Sequence, residues 1–145
     1  MRVIDFPGFL DTRVVITDEE IRMTLKSIIA DCLARQQLFA GFLVTVSLKN
    51  GSMRHMTTVN QIIQIFGEQV LDNCILLVTK YDNEVVPRKR EWYPTMEREC
   101  HARGLMRVMS WTNLPEQAPQ NQNESLIFLL DSLPTFSSNV LNAVE

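Results

Sequence analysis

An α/β fold, with a parallel sheet between layers of helices on both faces, is predicted by three observations on this sequence. Apolar periodicity switches back and forth along the 145 residues between strand-like runs and helical spacing, in the order β-α-β-α-β-α-β-α. The strand-like runs are almost continuously apolar, as parallel strands covered by helices are. The connections between these segments are short. With 46% apolar residues the chain can build one domain-sized core.

Val3-Ile4 reads as the end of a first strand, running into Asp5 and a Pro7-Gly8 turn. TDEEIRMTLKSIIADCLARQ then opens on a capping candidate, Thr17 or Asp18, with acids in the first turn, and spaces Ile21, Leu25, Ile28, Ile29, Cys32 and Leu33 as a helix does. AGFLVTVSL, Ala40 to Leu48, is a strand expected to be covered on both faces, and Asn50-Gly51 breaks it. TTVNQIIQIFG places Val59, Ile62, Ile63 and Phe66 on one helical face and stops at Gly67. NCILLVTK, Asn73 to Lys80, is a buried strand. PTMERECHARG is a polar helix with Pro94 in its first turn and Gly104 past its end. LMRVMSW is a further strand, TNLPEQAPQNQNE a polar loop, and ESLIFLLDSL a last helix closed by Pro134. Residues 1–133 therefore read as the domain and 134–145 as a C-terminal tail expected to fray.

Bulk properties exclude several functions. A net charge of −3 gives no electrostatic footprint for nucleic acid. Cys32, Cys74 and Cys100 are odd in number and far apart, which points to reduced thiols in a cytoplasmic setting. His55 and His101 fall in no metal-ligand spacing, and no apolar run reaches the roughly 18–20 residues of a membrane span. Met53 and Met56 beside His55 read as a loop entering a helix. PRKRE, Pro87 to Glu91, reads as a solvated loop, its three charges being fewer than a lipid-binding cluster needs. Cys100-His101 lacks a partner acid or oxyanion donor in the sequence, and Trp92-Tyr93 reads as cover for the core edge.

In parallel α/β sheets ligands sit beyond the carboxyl ends of the strands, so the residues leaving each strand carry the functional reading. Asp5-Phe6-Pro7-Gly8 offers a carboxylate for the water shell of Mg²⁺ and a glycine whose N–H can approach a phosphate. Alone, D-x-x-G is too common to decide, and a strand ending in an Asp-containing turn is its commoner reading. Thr79-Lys80-Tyr81-Asp82 offers a carboxylate that can accept two parallel hydrogen bonds from guanine N1–H and its exocyclic amine, donors adenine does not present there. The Lys80 stem can lie along the base plane. The plain alternative is a strand-to-loop transition with surface charges. Ser110-Trp111-Thr112-Asn113 could cap the guanine carbonyl; in isolation it is a polar turn.

With these residues in view the chain resembles the immunity-associated GTPases, the IAN or GIMAP proteins with an AIG-type G domain. VIDFPGFLDT resembles the family's D-T-P-G-[LF]-x-D-T box and LLVTKYDNE its T-x-x-D guanine box. The GFLVTVSLKN to IFGEQVL stretch between them is similar to the family's strand, loop and helix ending, and MSWTN falls at its last guanine-contacting box. The resemblance implies a P-loop-NTPase-like fold that binds GTP or GDP with Mg²⁺. Asp5 would hold Mg²⁺ through water and the Gly8 amide would sense the γ-phosphate. Asp82 would read guanine, Lys80 line the base, Thr79 brace the loop, and Asn113 contact the base. It also implies self-association through the nucleotide face. Phe6 replaces the usual threonine, and Phe9 stands where many small GTPases carry a water-positioning glutamine, so no catalytic residue is assigned.

The family's G-x-x-x-x-G-K-[ST] loop is not in these residues: Gly8, Gly41, Gly51, Gly67 and Gly104 precede no Lys-Ser or Lys-Thr pair. The loop, its strand and the switch threonine would lie upstream of Met1. By resemblance that strand runs between the one ending at Asp5 and Ala40–Leu48, unless those two pair directly. A row of unpaired buried backbone groups, each costing about 1–3 kcal/mol, rivals the roughly 5–15 kcal/mol stability of a domain. The expectation is a truncated G domain with weak or no nucleotide binding alone. The alternative is a pseudo-GTPase that keeps the fold as an interaction module.

Overall fold

A computed structural model describes residues 3–5, 17–36, 39–47, 55–79, 87–113 and 120–135. Its elements run α1 (Asp18–Ala34), β1 (Phe42–Ser47), α2 (His55–Phe66), a 3₁₀ helix (Glu68–Asn73), β2 (Cys74–Thr79), α3 (Pro87–Ala102), β3 (Val108–Ser110) and α4 (Gln122–Asp131). The strands form one parallel sheet in the order β1-β2-β3. This is the predicted α/β fold, a parallel sheet flanked by helices.

Thr17 caps α1: its hydroxyl accepts from Glu20 N at 3.2 Å, and its own N–H donates to Glu20 Oε2 at 2.7 Å. The reciprocal pair satisfies two N–H groups that the helix start would otherwise leave open. Thr17's bonds hold the Glu20 carboxyl below its ordinary range. Gly67 ends α2 at φ +86°, with its N–H on Ile63 O at 2.7 Å. Helical spacing brings Val59, Ile62 and Phe66 under the sheet, with Ile63 half-buried beside them.

The register rows Phe42–Cys74, Val44–Leu76–Val108 and Val46–Val78 face that core, which Ile29 of α1 and Met96 and Cys100 of α3 complete. Each fully buried aliphatic side chain contributes about 1.5–3 kcal/mol. α4 supplies nothing to this cluster. It is tied instead to both ends of the sheet: Arg107, entering β3, donates to Ser132 O at 3.0 Å, and Gln122 holds Thr112, leaving β3. Asn73 Nδ2 links the amino ends of β1 and β2 to the chain beyond α4, donating to Ala40 O at 3.0 Å and Pro134 O at 2.7 Å.

Four readings of the sequence change. Residues 3–5 form no strand; Val3 is 75% exposed and does not pair with β1. A strand needs a ladder partner, and among the described residues β1 pairs only with β2. For the same reason β1 is not covered on both faces: Leu43 is 42% exposed and Thr45 is exposed, whereas their register partners on the central strand, Ile75 and Leu77, are buried. α3 starts at Pro87, so PRKRE is helical and Pro94 lies inside the helix. Pro87 is the initiating proline, and Pro94 has no N–H to offer the Arg90 carbonyl. β3 is only three residues long. The 3₁₀ helix before β2, with Val70, Leu71 and Asn73 buried, gave no periodic signal because it is a single short segment.

Candidate functional site

The carboxyl ends of the three strands are stitched together. Thr79, the last residue of β2, donates its hydroxyl to Val46 O in β1 at 3.2 Å. On the other side Trp111 N donates to Val78 O at 2.8 Å, continuing the β2–β3 ladder one residue past β3. The chain therefore leaves β3 beside Thr79, the last described residue at this end of β2. Thr79 is placed to brace this rim.

The loop leaving β3 is held by a buried amide. Thr112 N donates to Gln122 Oε1 at 3.1 Å and Gln122 Nε2 donates to Thr112 O at 2.9 Å, with both residues buried. A glutamine side chain thus satisfies both backbone groups of one residue, as a neighbouring strand would. Trp111 Nε1 donates to Asn113 Oδ1 at 2.9 Å, and Asn113 itself is exposed. Gln122 and the Trp111 indole were not legible as site residues: a glutamine within PQNQNE looks like one more solvated polar side chain.

Among the sequence-predicted residues, Thr79 and Asn113 lie on this rim. Asp5 is exposed on the irregular segment 3–5, so it does not stand at the end of a buried strand. Gly8, Lys80 and Asp82 lie outside the described residues.

Two other features lie apart from this rim. Burial pushes the Cys74 thiol up to about 12 and the Cys100 thiol up to about 11, which suits packing and not nucleophilic attack. Cys100 is buried while His101 is exposed, so the adjacent pair does not share an environment. A cleft of about 220 Å³ between α1 and α2 is lined by Glu19, Arg22, Met23, Lys26, Gln64 and Ile65. Arg22 there donates to Gln61 and Gln64 and pairs with Glu19 at 3.4 Å, so its charge is engaged within the fold. Among the described residues, Asp5, Thr79 and Asn113 do not line this cleft. Among the described residues no three His, Cys, Asp or Glu side chains gather to hold a metal, and no helix is long and apolar enough to cross a membrane.

A three-stranded parallel sheet flanked by helices, with the loop leaving β3 held beside the end of the central strand, fits the P-loop-like G-domain class. The family model described as AIG1 family matches residues 1–133, and the chain belongs to that family, the AIG-type G domain of the immunity-associated GTPases. No curated protein matches the chain.

Proposed function

We propose that this chain is a guanine-nucleotide switch domain of the AIG type that supplies the base-reading end of the site. The observation that carries this reading is the 2.8 Å bond from Trp111 N to Val78 O. It sets the loop bearing Asn113 beside Thr79, so two segments far apart in sequence can address one purine. Asp82 reads the N1–H and 2-amine edge, Lys80 lies along the base, and Asn113 meets the opposite edge. Gly8 and Asp5 serve the phosphate end. Asp5 is a solvent-accessible carboxylate, which fits a ligand acting through the water shell of Mg²⁺. When bound, the ion would supply charge neutralisation for the phosphates.

The 145 residues hold no G-x-x-x-x-G-K-[ST] loop, and with it are lost the backbone amides and lysine that contribute most of the phosphate contacts. Affinity for GDP is therefore weak, and hydrolysis is not assigned to this chain. Self-association through the nucleotide face belongs to the same reading. A second reading, an interaction module that has given up nucleotide, draws on the exposed apolar side chains Leu43, Ile127 and Phe128.

A titration of the chain with fluorescent GDP, with and without Mg²⁺, tests the affinity: binding weaker than micromolar is expected, and tight magnesium-dependent binding would refute it. Asp82→Asn tests the base assignment. The variant is expected to gain preference for xanthosine diphosphate over GDP, and an unchanged preference removes Asp82 from the site.

A further inference from the structure

Resting on the guanine-nucleotide reading above, we propose that Trp111 is a specificity-determining residue, whose indole N–H fixes Asn113 so that its amide offers a donor, and not an acceptor, to position six of the purine. An indole nitrogen can only donate. At 2.9 Å from Trp111 Nε1 the Asn113 side chain must therefore turn its Oδ1 inward, leaving the two N–H groups of Nδ2 to face outward. Guanine carries an acceptor oxygen at position six; adenine carries an amino group there. A clamped Asn113 meets the first with a hydrogen bond and the second with donor against donor. Without the clamp, rotation of the carboxamide by half a turn presents Oδ1 and serves adenine as well.

The clamp is anchored on both sides. Trp111 is held to β2 through its backbone N–H, and Thr112 is held by both polar groups of the buried Gln122. The indole and the Asn113 amide thus flank a buried residue whose two backbone groups are both hydrogen-bonded. Asn113 is exposed where Thr112 is buried, so its side-chain amide is open to a ligand past the carboxyl end of β3.

The test uses the full ¹⁵N-labelled chain with Trp111→Phe, which keeps an aromatic ring and removes the donor, and Asn113→Ala. The indole signal that Trp111→Phe abolishes identifies Trp111. Without nucleotide, that signal is expected to move in Asn113→Ala; an unmoved signal overturns the clamp whatever the chain binds. GDP and 6-thio-GDP, which differ only in the acceptor at position six, are then titrated to millimolar concentration. Wild type is expected to favour GDP, and Trp111→Phe to lower that preference roughly three- to tenfold, the worth of one hydrogen bond. GDP binding with an unchanged preference overturns the proposal and leaves the nucleotide reading standing. If GDP perturbs no signal of the wild-type chain, the nucleotide reading falls and takes this proposal with it.

Discussion

Replacing Gln122 with glutamate converts the hold on the β3–α4 loop into a pH-dependent one. In the native chain Oε1 accepts from Thr112 N at 3.1 Å and Nε2 donates to Thr112 O at 2.9 Å, both in a buried setting. Ionised glutamate keeps the first bond and sets a carboxylate oxygen against the Thr112 carbonyl in place of the second. The expected cost at neutral pH is about 1–3 kcal/mol, the desolvation penalty of a buried group left without its partner. Protonated glutamate can donate to Thr112 O and restores the pair. Burial and the facing carbonyl raise the folded-state pKa of residue 122 above the unfolded value of about 4.3. The restored stability is therefore fully present below about pH 4.3 and lost as pH rises through the raised folded value. Gln122→Ala loses both bonds and costs about 1–3 kcal/mol at every pH. Urea unfolding followed by circular dichroism, each variant against wild type at the same pH, reads both. At roughly 4 °C per kcal/mol the loss is also visible in thermal melts. A pH-independent deficit in Gln122→Glu, or a Gln122→Ala chain within about 0.5 kcal/mol of wild type, refutes the reasoning.

Gly41→Ala places a Cβ 2.1 Å from the carbonyl oxygen of Asn73, a backbone atom between the starts of β1 and β2. The resulting displacement is expected to cost about 1–3 kcal/mol in urea unfolding, and a neutral substitution would show the close approach to be wrong. Iodoacetamide at pH 8 is expected to label half-buried Cys32 well before Cys74 and Cys100, whose thiols burial holds at about 12 and about 11; equal labelling by mass spectrometry would contradict that packing. Thr17→Ala should loosen the first turn of α1, costing about 0.5–2 kcal/mol and raising amide exchange there. Because Thr17 lowers the Glu20 pKa, the stabilisation of this turn is present above the ordinary carboxylate range and lost as pH falls through the lowered value. Thr17→Ala should flatten that dependence, and exchange that still tracks pH would count against it.

How far the sequence could be read follows from the kind of signal each residue leaves. Periodicity reports burial, so β2, α1 and α2 were legible: CILLVT is apolar throughout because the central strand is covered on both faces. Ile21 and Ile29 recur at helical spacing because one side of α1 is packed. AGFLVTVSL misled for a related reason. An apolar run reports which residues can be covered, and Leu43 and Thr45 are exposed on a strand that, among the described residues, pairs only with β2. Val3-Ile4 failed as a strand because pairing is decided by neighbours that no local pattern encodes. In α3 the polar stretch PRKRE read as a loop and Pro94 as the first turn, whereas the helix begins one segment earlier at Pro87, a proline equally suited to a first turn. Thr79 and Asn113 could be singled out from the sequence because they leave strands, and the structure places Thr79 at the carboxyl end of β2 and Asn113 past that of β3. Gln122 was invisible, since its role depends on a tertiary fit that returns both backbone groups of Thr112, ten residues earlier, to a hydrogen bond.

The most direct test of the central claim, that the exits of β2 and β3 form one purine-reading rim, is a ¹H–¹⁵N titration of the chain with GDP. Perturbations concentrated at Thr79, at the Trp111 indole and at the Asn113 side-chain amide are predicted, with ADP producing much smaller ones. Signals that move instead around Arg22 and Gln64, or that respond equally to both nucleotides, would contradict it.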